Sequence, residues 1–256
     1  MHRGPHTIIR LSETVSTNKD AMRLAFAGEM LPLWVTAERQ SAGRGRAGRT
    51  WVSTVGNLHA SVALSVTVPP ALAGQLALVS GIALYEAVRT VVPPAKNIGL
   101  RLKWPNDILI GAAKIGGILV ESTTARGGSD FIAVIGFGLN IVSAPDGLGR
   151  AATSLRAIGV ETSADAQIET LAQELEVWLE RWEDARGFDV IGRAWMERAG
   201  PRGERITINS GQGPVHGTYQ GLNETGALVA EVEGKRETIT FGDVMLAAAA
   251  DTSDDG

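Results

Sequence analysis

The chain has 256 residues, of which 44% are hydrophobic and 20% are charged, and this length allows one large domain or a large and a small one. Its net charge of -4 argues against a default affinity for nucleic acid, and the absence of cysteine excludes disulfides, thiolate metal sites and cysteine nucleophiles. Because there is no apolar signal segment and no run near the roughly 18 apolar residues of a membrane span, we expect a cytoplasmic protein that binds no membrane. Composition leaves open whether it is a monomer or a homodimer.

The first part of the chain predicts short strands and one long apolar helix. Residues 7–11 and 33–37 have the apolar character of strands, and between them Ser16 or Thr17 can cap a helix. Residues 58–68 alternate enough for a further strand. Because proline is tolerated in the first turn of a helix, we expect residues 69–70 to open a buried helix over the apolar segment that follows.

Four more strands are predicted in succession at residues 100–104, 108–110, 115–121 and 131–139. Short turns join them, and no helical crossover separates one from the next. This order predicts an α+β fold with a mixed, mostly antiparallel sheet flanked by helices, and it disfavours a doubly wound nucleotide fold.

The pattern becomes helical after a capping signal at residues 162–165. Apolar residues then recur at spacings of three and four, which predicts two helices with their tryptophans in the core. These residues are Ile168, Leu171, Leu175, Trp178 and Trp182 in the first helix, and Phe188, Ile191 and Trp195 in the second.

Beyond residue 200 the chain consists of short β runs separated by glycine-containing turns, which predicts a small β-barrel. We therefore expect a large domain at residues 1–200 and a C-terminal barrel at residues 201–248. The acidic residues 249–256 are expected to be a disordered tail.

The most informative segment is QSAGRGRAGRTW, which begins at Gln40 and ends at Trp51. Its glycines let the backbone approach a ligand and turn N–H groups inward, and its arginines supply planar donors for carboxylate or phosphate oxygens. The glycines are Gly43, Gly45 and Gly48, and the arginines are Arg44, Arg46 and Arg49. No carboxylate occurs from residue 39 to residue 85, so we favour a site for a small anion over an RNA-binding loop of the RGG type.

Three further segments carry polar side chains, and in two of them glycines stand beside these side chains. In KWPNDILIGAAKIGGILVE, from residue 103 to residue 121, a turn at residues 105–107 precedes Lys114, whose ammonium can enter a cleft beside Gly116 and Gly117. ETVSTN, at residues 13–18, places three hydroxyls and an amide at a strand–helix junction. GFGLN, at residues 136–140, ends an apolar strand with Asn140. Taken singly, Lys114 is more typical of a surface lysine at a strand end, and ETVSTN is more typical of an ordinary helix cap.

Together, these four segments and the ATSL that follows at residues 152–155 resemble the biotin protein ligase family over roughly residues 8–246. The resemblance implies a catalytic domain like that of class II aminoacyl-tRNA synthetases and a C-terminal SH3-like barrel. It also implies that biotin and ATP, with Mg2+, form biotinyl-5'-AMP. Biotin then passes to a lysine of a biotin carboxyl carrier protein.

The resemblance implies functions for particular residues. The residues expected to bind biotin are Ser16, Thr17, Asn18, Gln40, Gly43, Arg44, Gly45, Arg46, Lys114 and Gly117. Those expected at ATP or the adenylate are Arg46, Arg49, Trp51, Lys103, Asn106, Lys114 and Asn140. Lys114 and Arg46 are the expected catalytic residues, and Asp107 is expected to orient or help deprotonate the incoming lysine. No metal ligands are predicted.

Three features depart from the family pattern or limit it. His59 stands where an aromatic residue is common, and we expect it to be partly buried and not catalytic. Gly116-Gly117 replaces a frequent Ala-Gly. Only fifteen residues precede Ser16, so no N-terminal DNA-binding domain, and hence no repressor function, is expected. Lipoate protein ligase is the alternative of the same fold, but its pattern of an arginine-rich segment followed by a Gly-Gly-Gly run and a His-Asp pair is not found.

Overall fold

The computed structural model describes residues 6–93, 96–124, 131–147, 151–209 and 213–246. The predicted tail at residues 249–256 lies outside the described residues. Within the described part of the chain, no helix has the length and apolar character needed to cross a membrane.

A seven-stranded sheet forms the larger part of the molecule, with the spatial order β1-β2-β3-β7-β6-β5-β4. Its strands are β1 (Ile8–Thr14), β2 (Leu33–Gln40), β3 (Leu58–Val66), β4 (Leu100–Lys103), β5 (Asp107–Ile110), β6 (Ala113–Thr124) and β7 (Phe131–Leu139). β1 and β2 pair in parallel, and all the other neighbours in this sheet pair antiparallel. The prediction of an α+β fold with a mixed, mostly antiparallel sheet is confirmed.

Helices cover both faces of this sheet. The helices are α1 (Thr17–Phe26), α2 (Gln75–Val91), α3 (Ala164–Trp182) and α4 (Phe188–Arg198). Because side chains alternate across a strand, neighbouring residues of β2 enter different cores. Val35 packs in the small core beneath α1, whereas Trp34 lies in the large core beneath α2 and α3. The three tryptophans of α3 and α4 are buried in the large core, as the helical spacing predicts.

The start of α2 differs from the prediction. The two prolines do not open it, because residues Pro70–Leu72 form a separate 3-10 turn and the helix begins at Gln75 after Gly74. The Gln75 side chain is buried and accepts a hydrogen bond from Trp182 Nε1 at 2.8 Å. The first residue of α2 is therefore in contact with α3. The sequence around residue 75 does not reveal this contact, because Trp182 is 107 residues away.

The C-terminal segment forms a second, antiparallel sheet with the order β11-β10-β9-β8-β12. Its strands are β8 (Arg205–Asn209), β9 (Pro214–Leu222), β10 (Leu228–Val232), β11 (Lys235–Ile239) and β12 (Asp243–Leu246). Polar contacts join it to the end of β4: Lys103 Nζ donates to the Val244 carbonyl at 2.8 Å, and Trp104 Nε1 donates to the Gly226 carbonyl at 3.1 Å. The boundary near residue 200 stays a prediction.

Asn57 ties the start of β3 to the chain that leaves β7. Its Oδ1 accepts hydrogen bonds from the backbone N–H groups of Ile141, Val142 and Ser143, and its Nδ2 donates to the Ser143 carbonyl at 2.8 Å. The side chain is buried, so water cannot replace these partners at low cost. Asn57 therefore fixes the segment that leads from GFGLN toward ATSL.

We expect Asn57→Ala to lower the free energy of unfolding by about 2 kcal/mol, because buried backbone donors lose their acceptor. Urea denaturation of the wild type and the variant measures the difference. The matched control is Asn97→Ala, which removes an exposed asparagine that accepts one bond, from Gly99 N, and should change stability by about 0.5 kcal/mol or less. Equal effects of the two substitutions would contradict this account.

Candidate active site

A cleft of about 640 Å³, part of it open to solvent, lies where α1 begins and where β6 and β7 meet the arginine–glycine segment. It brings together most of the residues predicted to bind ligand, although they come from three separate parts of the sequence. The predicted residues that line it are Ser16, Thr17, Asn18, Gln40, Arg44, Gly45, Arg46, Arg49, Trp51, Asn106, Asp107, Lys114 and Gly117.

Buried polar side chains form one end of the cleft. Gln40 Oε1 accepts hydrogen bonds from the backbone N and the hydroxyl of Thr17, at 2.9 and 3.1 Å. Ser61 Oγ lies 2.7 Å from Thr17 Oγ1 and 2.6 Å from Asn18 Oδ1, and its single proton can serve only one of them at a time. Ser16 occupies the N-cap position of α1, but its side chain makes no capping hydrogen bond and instead lines the cleft.

Glycines in β7 make room for two of these side chains. A Cβ on Gly136 would collide with the amide of Asn18, and a Cβ on Gly138 would collide with the indole ring of Trp51. Gly43 begins the arginine loop, which we define as residues 43–51. A Cβ on Gly43 would collide with the Trp51 carbonyl, and Gly43 does not itself line the cleft. The GFGLN segment thus admits side chains from two other elements to the surface of the sheet.

Two polar residues of the site were not singled out by the sequence. Glu121 accepts hydrogen bonds from Asn18 Nδ2 at 2.7 Å and from Arg44 at 3.0 and 3.2 Å, so its carboxylate orients both. Ser61 lies fully buried in β3. Ser61 could have been predicted as a site residue because it is polar within the apolar run of β3. Glu121 could have been predicted because its carboxylate ends the KIGGILVE segment.

The arginine loop is a compact turn. Gly45 N donates to the Arg49 carbonyl at 2.7 Å, and Trp51 N donates to the Gly43 carbonyl at 2.9 Å. Gly48 has φ +72°, a left-handed conformation that glycine adopts without steric cost. These hydrogen bonds join the two ends of the loop, so its three arginines project from one short turn.

Carboxylates from distant parts of the sequence pair with these arginines. Arg44 pairs with Glu121, and Arg49 pairs with Asp243 Oδ2 at 2.8 Å. Arg46 is the least exposed of the three, and it donates to Asn106 Oδ1 and to the Gly242 carbonyl, both at 3.2 Å, with Asp243 at 3.4 Å. Asp243 and Gly242 belong to the C-terminal sheet and the turn before β12, so both parts of the molecule build the site.

Asp107 is buried between Lys114 and Lys103. Lys114 Nζ donates a hydrogen bond to its Oδ1, and Lys103 Nζ lies 2.9 Å from its Oδ2. Burial alone would raise the pKa of Asp107, but the charges and hydrogen bonds of Lys114 and Lys103 outweigh it and hold the pKa well below its usual range. Such a carboxylate is a weak base, which favours orientation of Lys114 over the predicted part in deprotonating an amine.

Lys103 does not line the cleft, in contrast to its predicted place at the nucleotide. Its ammonium is engaged by Asp107 and by the Val244 carbonyl on the far side of Asp107 from Lys114. The reason is tertiary: the C-terminal sheet packs against the end of β4 and supplies an acceptor there. Lys103 thus stabilises the Asp107 carboxylate through the oxygen that Lys114 does not contact.

A second, smaller cavity adjoins the cleft on the other side of Trp51. Its lining residues are Thr50, Trp51, Val52, Lys114, Asn140, Pro145 and Ala152. Asn140 Nδ2 donates to the Thr153 carbonyl at 3.1 Å, and Lys114 N donates to the Ala151 carbonyl at 2.9 Å. Asn140 and the ATSL segment therefore meet at Lys114. Because Lys114 and Trp51 line both cavities, the two cavities can act as parts of one site.

Comparisons with known proteins identify the class. Residues 8–140 match the Biotin/lipoate A/B protein ligase family, and residues 203–246 match the Biotin protein ligase C terminal domain. The protein is thus a ligase by class.

A biotin--[acetyl-CoA-carboxylase] ligase of Paracoccus denitrificans is 36% identical over 241 residues, which cover 92% of this chain and 99% of the relative. A ligase of the same name from Mycobacterium tuberculosis is 33% identical over 245 residues, which cover 92% of this chain and 87% of the relative. A biotin protein ligase from Aquifex aeolicus in complex with biotin and ATP is 26% identical and superposes with a TM-score of 0.76 over 95% of this chain and 99% of that one. The chain belongs to the biotin protein ligase family.

We expect Asp107→Asn to lower the free energy of unfolding at pH 7 by about 3 kcal/mol, because it leaves two partly buried ammonium groups without their carboxylate. A depressed pKa stabilises the fold fully above the ordinary value of 3.8, and this stabilisation is lost as pH falls through the folded-state value. Denaturation curves at several pH values should therefore show the wild type approaching the variant below about pH 3.8.

The matched control is Asp189→Asn, which removes the exposed partner of Arg193 on α4 and should cost about 0.5 kcal/mol at most. A gap between wild type and Asp107→Asn that stays constant into acid would show that Asp107 is not stabilised as a carboxylate.

Proposed function

We propose that the protein is an ATP-dependent biotin protein ligase that forms biotinyl-5'-AMP and then transfers biotin to the ε-amine of one lysine on a biotin carboxyl carrier protein. The observation that carries the proposal is the position of Lys114. It lies in both cavities, between the buried polar end of the cleft and Asn140. A carboxylate held in the first cavity and an α-phosphate held in the second would meet at its ammonium.

The buried end of the cleft suits the ureido ring of biotin. That ring offers one carbonyl acceptor and two N–H donors, and the cleft presents hydroxyls and amides in a small volume. The residues we assign to it are Ser16, Thr17, Asn18 and Gln40, with Ser61 behind them. Glu121 acts indirectly, because it orients Asn18 and Arg44.

Adenylate formation joins two anions, so positive charge must act where they meet. Lys114 and Arg46 are the least exposed cations lining the cleft, and preorganised charge in such a site stabilises the transition state. We assign Arg49 and Trp51 to the nucleotide and Asn140 to its adenine, because Trp51 and Asn140 share the second cavity and Arg49 lines the adjoining cleft. Asn106 positions Arg46 through their 3.2 Å hydrogen bond.

Magnesium needs separate treatment, because the described residues hold no group of three or more acidic or histidine side chains placed for a metal ion. Asp107 and Glu121, the carboxylates at the cleft, are already paired with lysine or arginine. These residues do not fit a dedicated magnesium site. We therefore expect magnesium to arrive with the phosphates of ATP as part of the substrate, and we derive no step from it.

The second step requires a carrier lysine to reach the mixed anhydride while water is excluded. We propose a biotin carboxyl carrier protein as partner, because the relatives from P. denitrificans and M. tuberculosis are named as acetyl-CoA-carboxylase ligases. The match of residues 203–246 to the Biotin protein ligase C terminal domain favours biotin over lipoate. We expect the activity in the cytoplasm, by a monomer or a homodimer, without nucleic acid or membrane.

The proposal is tested by incubating the protein with ATP, an acceptor domain and either biotin or lipoate. Mass spectrometry should show addition of biotin to one lysine and no addition of lipoate. We expect Lys114→Ala to lower the rate of adenylate formation at least about 100-fold, because removing one such donor costs about 3 kcal/mol of transition-state stabilisation. Lys235→Ala, an exposed lysine of β11, is the matched control and should leave the rate unchanged. Transfer of lipoate, or full activity of Lys114→Ala, would refute the assignment.

Arg46 joins the loop to Asn106 and to the turn before β12, so it should also close the site over the adenylate. We expect Arg46→Gly to form biotinyl-5'-AMP but to release it, so that free adenylate accumulates and lysines other than the carrier's are labelled. Chromatography of the supernatant measures the release, with Arg236→Gly, an exposed arginine of β11, as control. If Arg46→Gly forms adenylate and retains it as the wild type does, Arg46 does not close the site.

A further inference from the structure

His59 is buried in β3, with 1% of its surface exposed, and both of its ring nitrogens have partners. Trp51 Nε1 donates to His59 Nδ1 at 3.2 Å, and His59 Nε2 lies 3.3 Å from the Thr54 carbonyl. An indole N–H can only donate and a carbonyl can only accept, so these two contacts require the neutral tautomer with its proton on Nε2. The sequence predicted a partly buried, non-catalytic residue; the structure buries it fully.

The environment of His59 keeps this tautomer. Burial lowers the pKa of His59 below its ordinary value of 6.5, and the hydrogen bond to the Thr54 carbonyl raises it by less. Near neutral pH the ring is uncharged, and Nδ1 is available as an acceptor.

Trp51 is held at three places. Its indole ring lies against Gly138, where any Cβ would collide with it. Lys114 Nζ lies 5.8 Å from the ring centroid, within the range of a cation–π contact. His59 accepts the indole N–H. Since Trp51 lines both the cleft and the Asn140 cavity, its orientation sets the wall between them.

We propose that His59 is a positioning residue that acts through Trp51, by accepting the indole N–H and so fixing the wall of the nucleotide side of the site. His59 lines neither cavity, so it does not contact ligand bound there, and its hydrogen bond to Trp51 connects it to the wall that the two cavities share. The claim of an effect on ATP rests on the proposed function, whereas the His59–Trp51 contact does not. Loss of the acceptor should weaken ATP binding and leave the buried, biotin end of the cleft unchanged.

Two substitutions of His59 separate positioning from packing. His59→Leu fills the space but offers no acceptor, whereas His59→Asn is smaller and places an amide oxygen near the position of Nδ1. We expect His59→Leu to raise the KM for ATP about 10-fold, a change that one unsatisfied hydrogen bond of the indole can produce. The KM for biotin and kcat should stay within about twofold, and His59→Asn should restore the KM for ATP.

A double-mutant cycle with Trp51→Phe tests the route. Phenylalanine has no N–H, so the effect of His59→Leu should vanish in that background. If His59→Leu leaves the KM for ATP unchanged, raises both KM values equally, or retains its effect beside Trp51→Phe, the proposal is overturned.

A second measurement needs no ligand. The indole N–H resonance of Trp51, assigned by its loss in Trp51→Phe, should shift as pH falls through the folded-state pKa of His59, because protonated Nδ1 no longer accepts. The midpoint should lie below 6.5, and His59→Asn should abolish the shift. Lys114 carries a charge that faces the indole ring of Trp51. Lys114→Met removes this charge and should retain the shift, since the titrating group is His59.

The two measurements fail differently. Absence of the titration overturns the positioning proposal. A normal titration in a protein without ATP-dependent biotin ligation refutes the proposed function and supports the His59–Trp51 contact.

Discussion

The buried carboxylate of Asp107 is the interaction on which the site depends. It lies at the start of β5 with Lys114 on one oxygen and Lys103 on the other, and Lys103 also donates to the Val244 carbonyl. One negative charge thus connects the ammonium in the cleft to the C-terminal sheet. Breaking a buried pair leaves an uncompensated charge, which costs far more than an exposed pair contributes. The position of Lys114 and the packing of the two sheets are therefore coupled.

The arginine loop follows the same logic with weaker pairs. Arg44 and Arg49 pair with carboxylates from distant parts of the sequence, Glu121 and Asp243, which lie 77 and 194 residues away. These pairs are partly exposed, so each contributes little stability. An incoming phosphate or carboxylate would compete with them for the same guanidinium groups. Such weak pairs hold the loop in place and would allow the exchange of partners that ligand binding, as we propose it, requires.

Much of this could be predicted from the sequence where a residue's function is local. The strands, the helical spacing of the tryptophans and the four polar segments follow from side-chain periodicity and glycine placement. The same reasoning was wrong about the start of α2, which begins at Gln75, a residue that accepts a hydrogen bond from Trp182. Lys103 contacts Asp107 and the Val244 carbonyl, partners that the sequence does not reveal, and its place at the nucleotide stays a prediction. Ser16 fills the cap position while its side chain serves the cleft.

By itself the sequence determined which residue types are present at each point and how they are spaced, and that was enough for the fold class and for the segments that make the cleft. Glycine at positions 136 and 138 was visible, but not that one admits Asn18 and the other Trp51. Only the tertiary structure decided which charge meets which, since Coulomb energy and hydrogen bonding depend on distances that chain separation does not give. His59 shows the difference most clearly. The sequence shows that a histidine stands at this position but not which ring nitrogen carries the proton, whereas burial between a tryptophan donor and a carbonyl acceptor fixes its tautomer.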